Sequence, residues 1–390
     1  MYEDFYVIDG CAFCESDFTG VTKEVRESPL TAFFLTSPGE NENLHSCVSK
    51  IGGVYNLADD PASGLKVVRT IADLEAAKAE GKIGIILAFQ DPRCIEDSLD
   101  QLRALYELGI RVVQMTYNKA NYIGCGCLES HDSGLIDFGR KALKAMNRYG
   151  IVADASHCGP QTTLDIIRCS EKPVVISHAG AYGVTENVRN KSDEMLRALR
   201  DNGGVIGVSP WGPLCWKKET GKRPEMSDYL DHVDYIANLI GIDHIGFGGD
   251  STLDDNEDKS GIVEQATLYA PVVEDYNRCV GVDPAVRHAV GVRGSWEIGN
   301  VIEAMRKRGY SDQDTIGLLK SIPSIQETQD ELYTIKGMVP SPKNLPKGCL
   351  FAPRCEYATE RCLQERPPLV DIGEGRKLRC WNCTGGEKHA

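Results

Sequence analysis

Eight short apolar runs, rich in valine and isoleucine and separated by stretches of helical periodicity, set the tightest limit on how this chain folds. They are "FYVID" (5–9), "TAFFLT" (31–36), "IGIILAF" (83–89), "RVVQMTY" (111–117), "IVADAS" (151–156), "PVVISH" (173–178), "GVIGVS" (204–209) and "HIGFGG" (244–249). Runs that are apolar at successive positions belong to strands covered on both faces, as in parallel sheets. The stretches between them carry a single apolar stripe. In "IEDSLDQLRALYELG" (95–109), Leu99, Leu102, Leu105 and Leu108 recur at helical spacing, and "DFGRKALKAMNRYG" (137–150) ends on glycine, a helix-stop signal. Strands alternating with helices eight times over predict an α/β fold, a (β/α)8 TIM-like barrel. A doubly wound sheet is the competing arrangement, and it is weakened because no G-x-G-x-x-G opens a helix after the first run.

In such a barrel the chemistry sits at the C-terminal ends of the strands. The residues found there are Asp9 and Cys11 after the first run, then Gln90, Tyr117, His157, His178 and Asp250. The chain has only eight histidines, and two of them end consecutive runs. Neighbouring strands lie about 4.8 Å apart, so both rings reach one ion. Two histidines and a carboxylate around an open cavity form a catalytic metal pattern. Against this stands the plainer reading that each histidine is hydrogen-bonded at a strand end and inert.

Composition narrows the partners. With 57 acidic and 43 basic residues the formal charge is −14, which argues against nucleic acid or an anionic membrane surface. No apolar run approaches the ~18 residues that span a bilayer, and "MYEDFYVIDG" opens acidic rather than as a leader, so the expectation is a cytoplasmic protein acting on a small molecule. Of the fifteen cysteines, five fall in the last 42 residues. The expected organisation is a barrel over 1–334, a linker over 335–348 marked by three prolines and two glycines, and a cysteine-rich tail over 349–390. The polar segment 251–295 is expected to cap the barrel mouth, and helical patterns over 296–308 and 309–322 to close the domain.

Five stretches carry a family resemblance: "SLDQLRALYELGIRVVQMTYNKAN", "HDSGLIDFGRKALKAMNRYGIVADASHCG", "PVVISHAGAYGVTENVRNKSDE", "HIGFGGD" and "RGYSDQD". From about residue 4 to 322 the chain resembles the membrane (renal) dipeptidase family of the metal-dependent amidohydrolase superfamily. The resemblance implies that His157 and His178 bind metal, that Arg189 grips a substrate carboxylate with its forked guanidinium, and that Asp250 is the acid/base carboxylate. Tyr117 falls where relatives often carry a substrate-contacting histidine, with Asn118 beside it. A homodimer is common among such relatives.

The departures are as informative. Where the family has the His-x-Asp of its first metal, this chain has Cys11-Ala12-Phe13, and Gln90 stands for the bridging glutamate. Two dications about 4 Å apart need anionic ligands; phenylalanine cannot ligate and glutamine is neutral. One ion at most is expected, on His157 and His178 with Cys11 or Gln90, and a thiolate ligand would favour zinc or iron. Alternatively, Cys11 is a small buried residue on the barrel floor. A redox pair with Cys14 is disfavoured because the C-x-x-C does not open a helix of a thioredoxin-like unit.

In the tail, "GCLFAPRCEYATERC" followed by "LRCWNC" resembles the C-terminal segment of oligopeptide ABC-transporter ATPases. The resemblance implies a 4Fe-4S cluster on Cys349, Cys355, Cys362 and Cys380, with zinc as the alternative. No Walker motif accompanies it. The function expected is hydrolysis of an amide in a small carboxylate-bearing substrate. The alternatives are an enzyme of another class acting on an amino-acid-like metabolite with iron or iron–sulfur involvement, and a catalytically inactive ligand-binding homologue.

Overall fold

The computed structural model describes residues 6–13, 18–36, 42–253, 271–312, 314–315, 347–349, 352, 358–371 and 377–381. In chain order the strands of the first unit are β1 (Ile8–Phe13), β2 (Ala32–Thr36), β3 (Leu65–Val67), β4 (Ile83–Phe89), β5 (Val112–Gln114), β6 (Val152–Asp154), β7 (Val175–Ala179), β8 (Val205–Val208), β9 (Ile245–Phe247) and β10 (Ser251–Thr252). Eight of them run parallel in the order β1-β2-β4-β5-β6-β7-β8-β9, and β9 returns to β1 at Asp9↔Phe247 to close a barrel. β3 pairs with the first half of β4, and β10 extends the edge of β1 at Ala12↔Ser251. All eight expected runs become barrel strands.

Their boundaries differ where side chains compete with the ladder. The first strand does not stop at Asp9; it continues through Phe13, with its register shifting between Asp9 and Ala12. The cause is the buried Asp9 carboxylate. Its Oδ1 accepts from the backbone N–H of Cys11 (3.0 Å) and of Gly249 (2.7 Å), so two amides bond to a side chain. The last strand ends at Phe247, and Gly248 to Asp250 form a loop. The helix expected over 95–109 starts only at Leu99, capped by Ser98, after a short 3-10 turn over Pro92–Ile95. Leu102 and Leu105 are buried, whereas Leu108, just past the helix end, is exposed. The helix Asp137–Tyr149 buries Ala142, Leu143 and Met146 and terminates at Gly150, whose φ of 80° suits glycine.

At the level just beneath the site, one backbone carbonyl sets the strand spacing. A Cβ on Gly10, Gly207 or Gly248 would come within 2.6, 2.1 and 2.1 Å of Ser177 O, respectively. Three elements thus press bare backbone against β7, one residue before His178.

The chain divides into two compact units, Met1–Glu327 and Thr328–Ala390. The expected linker lies outside the described residues except for Lys347 and Gly348. In the second unit a helix spans Glu360–Gln364 and a two-stranded antiparallel pair joins Val370–Asp371 to Lys377–Leu378. The Cys349 N–H donates to Cys362 O (2.8 Å), and Trp381 Nε1 donates to Glu365 O (3.0 Å) with the Arg361 guanidinium 3.6 Å from its ring centroid. Among the described residues no helix is long and apolar enough to cross a membrane.

Because the methyl of Gly207→Ala meets backbone rather than a movable side chain, this variant is expected to lose about 1–3 kcal/mol of stability through overpacking. Chemical denaturation monitored by circular dichroism reads the loss; an unchanged midpoint would show that β8 can shift away from β7.

Candidate active site

His157 follows β6 in the loop after Asp154, and His178 lies in β7; both rings are buried. Their Nε2 atoms are 2.8 Å apart. The hydrogen bonds on the far side of each ring fix where the protons are. His157 Nδ1 faces the amide oxygen of Asn118 at 2.8 Å, an atom that only accepts, so Nδ1 carries the hydrogen. His178 Nδ1 faces Ser177 Oγ at 2.8 Å, and that hydroxyl donates to Asp154 Oδ2 at 2.5 Å. Ser177 therefore accepts from His178. Two neutral rings then point lone pairs at each other, an arrangement that a shared cation relieves. A proton is a poor candidate for that cation, since burial first and then the Arg189 charge hold both histidines well below their usual range. The donor set therefore fits a metal ion.

Behind the rings lies a layer that the sequence reading did not single out. Asp154, buried at the end of β6, accepts from Ser156 N, Ser156 Oγ and Ser177 N through Oδ1 and from Ser177 Oγ through Oδ2. Buried Lys191 donates to Ala155 O (2.8 Å), Cys158 O (3.2 Å) and Thr163 Oγ1 (3.3 Å), filling its three donors and clamping the loop on either side of His157. Burial lowers its pKa to about 8, so the ammonium form persists at neutral pH. His288 is also buried and neutral, its pKa lowered to about 4 by burial; its Nε2 donates to Gly249 O (3.1 Å) and Asp250 O (2.9 Å). The only sequence signal for Asp154 and Lys191 was their place in the motifs around His157 and Arg189. His288 had none beyond its residue type.

Cys11, expected either as a ligand or as filler on the barrel floor, is buried with its sulfur facing the site. Gln90 Nε2 donates to Cys11 Sγ at 3.4 Å, and the thiol points to Asp250 Oδ1 at 3.8 Å. The donor atoms of Cys11, His178 and Asp250 all lie within 4.8 Å of one another, the one such cluster of three or more among the described residues. Burial, then Asp250, pushes the Cys11 thiol well above its usual range, so it is a thiol until a cation displaces the proton. Asp250 adopts φ 48°, as Asn118 adopts 61°, conformations uncommon for non-glycine residues and concentrated at functional sites. Burial raises the Asp250 carboxyl, opposed by Arg189 and Arg287. Phe13 lies under the Arg287 guanidinium, 5.0 Å from its ring centroid. An aromatic ring carrying a cation thus stands where the family pattern needs an anionic ligand, and the residues present do not fit a second metal ion.

Arg189 is buried on the loop after β7. Its Nη2 donates to His178 O at 3.1 Å, while its Nε has no hydrogen-bond partner. The loop is held by Asn187 Nδ2 to Pro213 O, by Asn190 Nδ2 to Thr185 O and Leu214 O, and by buried His232, which accepts from Ala181 N. A rigid guanidinium with an open donor next to the histidine pair suits an anionic ligand. Tyr117 is half-buried and stacks on His157, centroids 4.1 Å apart and planes 23° from parallel. In the tail, Cys355 lies outside the described residues, and among the described residues no three-donor cluster includes Cys349, Cys362 or Cys380.

A parallel barrel with paired neutral histidines at the C-terminal face has the architecture of a barrel metallohydrolase. The comparisons define it further. The family model "Membrane dipeptidase (Peptidase family M19)" matches residues 14–273, and "Oligopeptide/dipeptide transporter, C-terminal region" matches 314–362. An amidohydrolase from Pseudomonas aeruginosa superposes with a TM-score of 0.71 at 32% identity, covering 82% of this chain and 94% of that one. A metallopeptidase from Rhodobacter sphaeroides, solved with a phosphinate mimic of the dipeptide L-Ala-D-Ala, shares the fold (TM-score 0.62, 20% identity, 81% and 96% covered). An uncharacterized dipeptidase of Schizosaccharomyces pombe is 34% identical over 191 residues, 48% of this chain and 46% of its own. The chain belongs to the membrane dipeptidase family, M19. It spans about half the length of the curated relatives it matches.

Ser177→Ala removes the acceptor that orients His178. It is expected to fold normally and to bind its metal about 10–100-fold more weakly, the usual cost of losing a partner behind a metal-ligating histidine. Calorimetric metal titration checks this, and unchanged affinity would show that β7 alone positions the ring.

Proposed function

We propose that the protein is a metal-dependent hydrolase of the dipeptidase type, cleaving the amide of a small substrate that bears a free carboxylate, with one metal ion rather than two. The observation that carries this reading is the pair of neutral histidines, Nε2 atoms 2.8 Å apart, beside a buried arginine with an unused donor. His157 and His178 hold the ion, which when bound supplies Lewis acidity and lowers the pKa of water. Arg189 receives the substrate carboxylate, replacing the missing partner of Nε and fixing the scissile amide over the site. Asp250, its carboxyl raised by burial, takes the proton from the attacking water and returns it to the departing amine. The Tyr117 ring covers one face of the His157 imidazole.

The reading is tested by assaying dipeptides with the metal-loaded protein. His157→Ala should lose metal and turnover together; activity in the metal-free variant would refute the reading. Arg189→Lys removes the fork, and kcat/KM should fall about 10–100-fold, consistent with losing a charged hydrogen bond of about 1.5–3 kcal/mol. Tight binding of a dipeptide without turnover would identify a ligand-binding homologue instead.

The tail supports a separate proposal: Cys349, Cys355, Cys362 and Cys380 hold a 4Fe-4S cluster, with zinc as the alternative. The match to the transporter C-terminal region and the backbone link between Cys349 and Cys362 support it. Protein purified without oxygen should contain about four iron and four acid-labile sulfide per chain, as four thiolates ligating one such cluster require. Zinc without sulfide would decide for the alternative.

A further inference from the structure

Resting on the reading just given, we propose that the single metal ion is ligated by the Cys11 thiolate and by Asp250 together with His178, with His157 as the fourth protein ligand, and that Gln90 is a hydrogen-bond donor to the sulfur and not a ligand. The centre would then be a mixed sulfur, nitrogen and oxygen site, in which the attacking water would be a fifth donor.

Size is the first argument. Zn–N and Zn–O bonds are about 2.0–2.2 Å and Zn–S about 2.3 Å, so two donors on opposite sides of one ion are separated by little more than about 4.5 Å. The Cys11, His178 and Asp250 donor atoms fall within 4.8 Å of one another. They converge without any ion to draw them in, and small side-chain movements bring them onto one.

The second argument is that these donors are locked together. Asp250 N–H donates to Cys11 O at 2.8 Å, and β10, beginning at the next residue, pairs with β1 at Ala12↔Ser251. The unusual backbone of Asp250 is held on its other side by His288. Sulfur and carboxylate therefore cannot drift apart independently. His178, tied through Ser177 to Asp154, brings an Nε2 that carries a lone pair and already faces that of His157.

Charge is the third argument. A dication is balanced by two anions, and Cys11 as thiolate with Asp250 supplies two. Phe13 and Gln90 supply none. Gln90 presents an N–H to the sulfur at 3.4 Å, which stabilises the thiolate form and uses the side chain as a donor. Asp250 faces Cys11 through Oδ1, leaving Oδ2 to carry the proton in the hydrolytic step. Metal uptake releases one proton from the Cys11 thiol. Sulfur ligation favours zinc, iron(II) or cobalt over manganese or magnesium.

The test is cobalt(II) titration of the metal-free full-length chain in which all five tail cysteines, Cys349, Cys355, Cys362, Cys380 and Cys383, are replaced by serine, so that tail sulfurs give no signal. The expected result is an intense near-ultraviolet thiolate-to-cobalt charge-transfer band that saturates at one ion per chain. Cys11→Ser should abolish the band while leaving the rest of the donor set to bind cobalt more weakly. Asp250→Asn should keep the band and weaken uptake. One equivalent of cobalt bound in a His157-dependent way, with no charge-transfer band in the protein that retains Cys11, would overturn this ligand assignment and leave the hydrolase reading intact. Absence of His157-dependent uptake would overturn both. Because the decisive spectrum comes from protein with Cys11 in place, the outcome does not depend on the Cys11 variant folding.

Discussion

Ser177 joins the barrel to its chemistry. Its carbonyl is the surface against which Gly10, Gly207 and Gly248 pack, so the spacing of neighbouring elements is set at this one peptide. Its hydroxyl passes the charge of Asp154 to His178 Nδ1 and fixes which nitrogen of that ring is free. A substitution at Ser177 keeps this carbonyl and its packing but removes the hydroxyl, so it acts on ligand orientation. The buried carboxylate at the end of β6 is tolerated because four hydrogen bonds from the backbone and hydroxyls of Ser156 and Ser177 surround it and because the ring beyond the Ser177 hydroxyl is neutral.

The fold was legible because two periodicities alternate without ambiguity. Strands buried on both faces cannot hide their apolar runs, and each run here became a barrel strand. The ends were less legible. Asp9 bonds to two backbone amides and shifts the register of β1, and Ser156 closes on Asp154 just past the end of β6; such local competitions leave no periodic trace. The histidine pair could be read from its position at consecutive strand ends. The groups that support it could not, because their contacts are distant in sequence: Lys191 reaches back 36 residues to Ala155, and His288 reaches 38 residues to Asp250. A single sequence shows which residues are capable of chemistry, whereas the partners that fix a tautomer become visible only once the chain is folded.

The departures from the family pattern form one consistent change. Replacing an aspartate by Phe13 and a glutamate by Gln90 removes two negative charges from the ligand set, and the Arg287 guanidinium lies over the Phe13 ring. Had a second metal remained, the site would hold two dications beside two arginines, Arg189 and Arg287, with Asp250 as the one carboxylate in the candidate ligand cluster. That excess of positive charge in a buried site is untenable at the effective dielectric of a protein interior, where like charges a few ångströms apart repel by several kcal/mol. In the proposed one-ion site, Asp250 and a deprotonated Cys11 would restore the balance.

On the proposed reading, the same charge balance extends to substrate binding at Arg189. Burying a guanidinium with an unsatisfied Nε is costly, and the structure holds it through His232, Asn187 and Asn190 instead of letting it turn to solvent. A carboxylate that enters completes the Arg189 hydrogen bonds and adds a negative charge beside the metal ligands. Ligand and ion then favour each other's binding, since each relieves part of the charge the other leaves uncompensated. Such coupling is reciprocal: a site that binds carboxylates through Arg189 must hold its metal more tightly when a carboxylate is present, which follows from the rigidity of the loop and not from any movement of the barrel.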